Sequence, residues 1–74
     1  MTEYTVNFTW DEEAQVWVAV GEGFGLVLEH NSLDMLMERV RLAAPELIEL
    51  RQASTQHISL NFNAHRVEEL RAYG

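Results

Sequence analysis

The sequence predicts an α+β domain of two layers, β-β-β-α-β, in which a three-stranded antiparallel meander carries one kinked helix on one sheet face. A fourth strand is expected beside the first, giving the spatial order 3-2-1-4. Three observations lead there. Tyr4, Val6, Phe8 and Trp10 alternate with Thr5, Asn7 and Thr9, the two-residue period of a half-buried strand. An apolar stripe at helical spacing follows from Leu33 to Leu50, and Ile58, Leu60 and Phe62 then resume the two-residue alternation. The chain has 74 residues, enough for one domain and close to the lower limit for a self-sufficient core. It divides into a domain over residues 1–63 and a tail over 64–74 that is expected to form at most a short helix through Val67 and Leu70.

The first strand ends where three successive acids, Asp11, Glu12 and Glu13, break the alternation. Val16 to Val20 resumes it with β-branched and aromatic residues, so the two segments read as a hairpin with a five-residue connection, Asp11 to Gln15. Gly21 to Gly23 permits a second reversal, and Phe24 to Glu29 forms the third strand with Phe24, Leu26 and Leu28 on one face. Asn31 or Ser32 offers a side-chain oxygen to the free amides of a helix start, and Asp34 suits the first turn. Leu33, Leu36, Val40, Ala43, Leu47 and Leu50 make the stripe that faces the sheet. Pro45 within it predicts a kink or a restart, because proline lacks the amide that Arg41 would otherwise bind. Past a polar connection from Arg51 to Gln56, the fourth strand is parallel to the third and, by the right-handed crossover rule, lies beside the first. Glu68 and Arg71 are spaced to pair in the tail.

Twelve acids against five arginines and no lysine leave a net charge of −7, which opposes binding to phosphate backbones and anionic membranes. Direct nucleic-acid and membrane partners are therefore not expected. The absence of cysteine excludes a disulfide scaffold, a thiolate metal site and thiol catalysis. The longest wholly apolar run, Val16 to Val20, is far shorter than the roughly 20 residues of a spanning helix, and a cytoplasmic protein is expected.

The stretch Trp10-Asp11-Glu12-Glu13-Ala14-Gln15-Val16-Trp17-Val18-Ala19, with Gly25-Leu26, Glu29, Ser32-Leu33-Asp34 and Pro45-Glu46-Leu47-Ile48 downstream, resembles a small bacterial family of uncharacterised domains grouped with the HicB-like antitoxins. The resemblance covers Val6 to Leu50 and, more loosely, the fourth strand. It implies a partial RNase H-like domain and, by analogy with HicB, a protein that binds and blocks HicA, a small basic RNA-cleaving toxin. HicB antitoxins commonly carry a DNA-binding segment after this domain. The residues following Phe62 are too few to supply one, so promoter binding is not implied. Phe24-Gly25 also replaces the Pro-Gly that HicB proteins place before the third strand, which aligns the chain with the uncharacterised subgroup.

No catalytic, cofactor-binding or metal-ligating residues are assigned. An RNase H-type nuclease needs carboxylates converging on two metal ions, and the strand from Tyr4 to Trp10 contains none. His30, His57 and His65 lack the spacing of a metal site. Asp11, Glu12 and Glu13 read as a solvated turn whose charge, with that of Glu22, steers a basic partner. If Val16, Val18 and Val20 join the helix side, Trp17, Ala19 and Val27 face away from it. One helix cannot cover both faces, so those three residues are the expected protein interface. The expected function is a non-catalytic, antitoxin-like binding module, with a homodimer or higher homo-oligomer also anticipated from the small core. The alternative is a stand-alone homo-oligomeric domain of structural or regulatory role with no toxin partner.

Overall fold

The computed structural model describes residues 2–51 and 57–72, so the connection expected up to Gln56 lies, past Arg51, outside the described residues. Strand β1 spans Thr2–Asp11, β2 Val16–Gly21 and β3 Leu26–His30; helix α1 spans Leu33–Arg51 and β4 Ile58–His65. The sheet order is β3-β2-β1-β4, the order expected, with β1 antiparallel to β2, β2 antiparallel to β3 and β4 parallel to β1.

The first hairpin is one residue tighter than expected. Asp11 belongs to β1 and pairs with Val16, leaving Glu12 to Gln15 as the connection. Asp11 closes it twice: its carbonyl accepts the Gln15 N–H at 2.8 Å and its Oδ1 accepts the Ala14 N–H at 3.2 Å. Gln15 turns the chain in the left-handed region, at φ 57°. This register places Trp10 opposite Trp17, Phe8 opposite Ala19 and Val6 opposite Gly21. Trp17 and Ala19 therefore share the helix side with β1's core residues, and Val16, Val18 and Val20 point the other way. The expected facing of β2 is reversed, because a one-residue change in register moves every side chain to the opposite face.

Small residues on the inner side of β2 make room for the rest of the core. Gly21 lies beneath the ring of Phe24, which is buried although it sits in the turn before β3 rather than in the strand. Tyr4 meets Phe24 edge-on at 5.4 Å, and Phe8 meets Phe62 at 5.2 Å. The fully buried set is Val6, Phe8, Ala19, Phe24, Leu26, Leu36, Val40, Ala44 and Ile48.

Ser32 caps α1: its Oγ accepts the Met35 N–H at 3.3 Å and its carbonyl accepts the Leu36 N–H at 3.0 Å. The helix continues through Pro45 without a restart. Its buried ridge is Leu36, Val40, Ala44 and Ile48, a four-residue spacing. Leu50, at the end of the expected stripe, is 83% exposed. A helix of 19 residues measures about 28 Å and outruns β3, whose five residues cover about 17 Å. The helix lies over β2 and β3, and Ile58, Leu60 and Phe62 of β4 stay half-buried beyond it. The tail forms no helix over Arg66 to Ala72, and Glu68 pairs with Arg66 at 2.9 Å rather than with Arg71.

Candidate protein interface

The sheet face turned away from α1 has no second layer among the described residues. Its cross-strand rows follow from the register: Val27, Val20, Asn7 and Asn63 form one, and Glu29, Val18, Thr9 and His65 the next. Val16 stands opposite Asp11 at the hairpin end. The face is thus apolar over β2 and at Val27 of β3, charged at the exposed Glu29 opposite Val18, and polar over β1 and β4. Val27 is 70% exposed and Val20 41%, whereas Val16 and Val18 are half-buried by their neighbours.

Of the three residues expected to form the interface, only Val27 lies on this face. Ala19 is fully buried and belongs to the core, and Trp17 is half-buried on the helix side. The steering acids bracket the valine stripe instead of gathering at one point. Asp11 at the end of β1, with Glu12 and Glu13 in the β1–β2 connection, lies at one end of β2, and Glu22 in the β2–β3 turn at the other. Two have local duties as well: Asp11 closes the hairpin, and the Glu12 carboxylate accepts the Trp10 indole N–H at 2.5 Å while its carbonyl accepts the Gln15 amide at 2.7 Å. Glu13 and Glu22 are exposed. Among the described residues, no three His, Asp or Glu side chains are grouped so that they could hold a metal ion.

Trp10, Trp17, Arg66 and His30 carry much of the local geometry, in roles that the sequence patterning does not indicate. The indoles of Trp10 and Trp17 meet edge to face at 5.6 Å. The guanidinium of Arg66 lies 4.1 Å from the centre of Trp10 and 5.9 Å from that of Trp17. An open cleft of about 510 Å³ adjoins this cluster, lined by Thr9, Trp10, Glu12, His65 and tail residues 66–69. His30, at the end of the edge strand β3, is half-buried and accepts the Ser32 N–H on Nδ1 at 2.8 Å, which fixes the entry to α1. The one available signal for these roles was the hairpin register, which sets Trp10 against Trp17 and leaves the three valines outside.

No helix of the described residues is long and apolar enough to cross a membrane. No curated protein matches the chain. The crystal structure of the hypothetical protein TTHA1013 from the extremely thermophilic bacterium Thermus thermophilus is similar. Its TM-score is 0.67 and its sequence identity 27%, over 95% of this chain and 99% of that one. A family model described as a domain of unknown function, DUF1902, matches residues 3–74, and the chain belongs to that family.

Proposed function

We propose that the chain is a non-catalytic, HicB-like protein-binding module of the cytoplasm that binds and neutralises a small basic RNA-cleaving toxin. The observation that supports this reading best is the uncovered stripe of Val16, Val18, Val20 and Val27, bracketed by Asp11, Glu12 and Glu13 at one end and Glu22 at the other. On a chain of net charge −7, such a surface attracts a basic partner over distance and holds it by apolar burial. Val27, 70% exposed, contributes up to about 1.5–3 kcal/mol when fully covered, and the half-buried Val16 and Val18 contribute less. The reading needs no chemistry from the chain. It also takes β-β-β-α-β as the partial RNase H-like arrangement that the sequence resemblance implies. The acids serve as charge, because those of the first connection close a turn and hold an indole while Glu22 stands at the far end of β2.

The test is co-expression with the product of the neighbouring gene. The expected result is a stable complex with a small basic protein whose RNase activity is suppressed in proportion to the chain bound. Recovery of the acidic chain alone, or a complex whose RNase activity is undiminished, overturns the reading. The same uncovered stripe also suits a symmetric homo-oligomer without a toxin, since a two-fold contact uses one patch twice. Light scattering on the purified chain separates the two: a stable oligomer that Val20→Glu dissociates favours self-association.

A further inference from the structure

We infer that the face of Trp10, with the carboxylates around it, is a receptor for an arginine side chain of the basic partner, and that Arg66 of the chain's own tail occupies it in the free protein. This rests on the proposed binding of a basic protein and places one of its cations at the hairpin end of the sheet, on the side opposite the valine stripe.

The platform is built and held. Trp10 donates its indole N–H to Glu12 at 2.5 Å and packs against the edge of Trp17, so the ring is fixed from two sides. A guanidinium already lies over it, that of Arg66 at 4.1 Å, with its Nε 2.9 Å from Glu68 Oε1. The adjoining cleft has Glu12, Glu68 and Glu69 among its lining residues, and Arg66 lines it too. With the Arg66 side chain swung off the ring, what stays fixed is the aromatic face with the Glu12 carboxylate bound at its edge, while Glu68 and Glu69 move with the tail, and this face selects a cation. A guanidinium suits it better than an ammonium, because guanidinium is planar, stacks on indole and is more weakly hydrated.

The resident group is also weakly held. Arg66 is 38% and Glu68 59% exposed, so solvent screens their ion pair and leaves little net energy in it. The tail from Arg66 to Ala72 adds no regular structure, and Val67 and Leu70 point into solvent at 72% and 88% exposure. A partner's arginine therefore displaces Arg66 without unfolding any element. Occupation by Arg66 lowers apparent affinity by the fraction of chains in which the platform is covered.

The chain's two tryptophans touch each other at this site, so intrinsic fluorescence reports its occupancy. The full chain is titrated with a short arginine-rich peptide and with a lysine-rich peptide of equal charge, and so are Arg66→Ala and Arg71→Ala. The two variants change net charge equally, and Arg71 is the control for long-range attraction. The expected result is a saturable change favouring the arginine peptide by roughly threefold to tenfold. Arg66→Ala is expected to tighten it a further few-fold, and Arg71→Ala to leave the selectivity where it was. Equal affinity for the two peptides, or equal behaviour of the two variants, overturns the inference. Binding of the toxin-like partner that Glu12→Gln and Arg66→Ala both leave unchanged overturns it too, while sparing the proposed function. An arginine-selective platform in a chain that suppresses no RNase overturns the function and spares the platform.

Discussion

A Cβ built on Gly21 would lie 2.4 Å from Phe24 Cζ and 2.9 Å from Leu26 Cβ. Phe24 cannot swing aside, because it is buried against Tyr4 and the core. Gly21→Ala is therefore expected to cost roughly 2 kcal/mol by overpacking. Gly23 poses a different problem: nothing lies within 4 Å of its would-be Cβ, but its φ is +84°. Gly23→Ala is expected to cost only about 1 kcal/mol, the penalty of a side chain in the left-handed region. Urea midpoints of the two variants decide the order. A Gly21→Ala midpoint equal to that of the parent would mean that the Phe24 ring does not cover this glycine.

The elements were legible in the sequence because alternation and helical spacing are dictated by which side of each element meets water. Strand β1, the Ser32 cap, the helix and the parallel return of β4 all follow from that pattern and from the crossover rule. What the pattern left open was the facing of β2, and it turned on Asp11. Three acids in a row read as loop, yet the backbone of the first still pairs with Val16 while its carboxylate ties the turn. Counting Asp11 as loop sets Trp10 opposite Val16 and turns the valines inward; counting it as strand sets Trp10 opposite Trp17. Valine's liking for strands holds on either face, so composition could not arbitrate. The series Trp17, Ala19, Gly21 held the answer in its diminishing size, which accommodates Phe24 and the helix. The expected facing of Trp17 and Ala19 changed with that register, and Ala19 belongs to the core, while Val27 keeps its expected side because its strand keeps its own parity. A paired substitution tests the facing. Val18→Asp, opposite Glu29 in a half-buried strand position, is expected to cost about 1–2 kcal/mol, whereas Ala19→Asp buries an unpaired charge and is expected to cost more than about 4 kcal/mol. Thermal unfolding distinguishes them, and the opposite ranking would restore the valines to the core.

At the scale of the whole molecule, the Cα radius of gyration is 14.9 Å, against about 11 Å expected for a compact chain of this length. The extents, 59 × 21 × 18 Å, describe a slender body in which much surface stays wet. One helix over β2 and β3 shields one side of the sheet only, and the valine stripe lies on the other. Charge and size were readable from composition, but the surface that a partner would use depended on the register of a single hairpin. The double variant Val20→Glu with Val27→Glu isolates that surface. The two residues are cross-strand partners and both are exposed, so their replacement leaves the core untouched. Like charges directly opposite each other repel, and the cost to the fold is expected to stay near 1 kcal/mol. Affinity for the basic partner is expected to fall at least about tenfold, mainly through faster dissociation, because contacts buried at an interface act on the off-rate. Added salt acts on the parent differently: by screening the acids at both ends of the stripe it slows association and leaves dissociation nearly constant. Stopped-flow and dissociation measurements on the same complex separate the two contributions. Should the double variant bind as tightly as the parent, the valine stripe is not the contact surface, and the half-buried Ile58, Leu60 and Phe62 beside the helix become the apolar surface to test next.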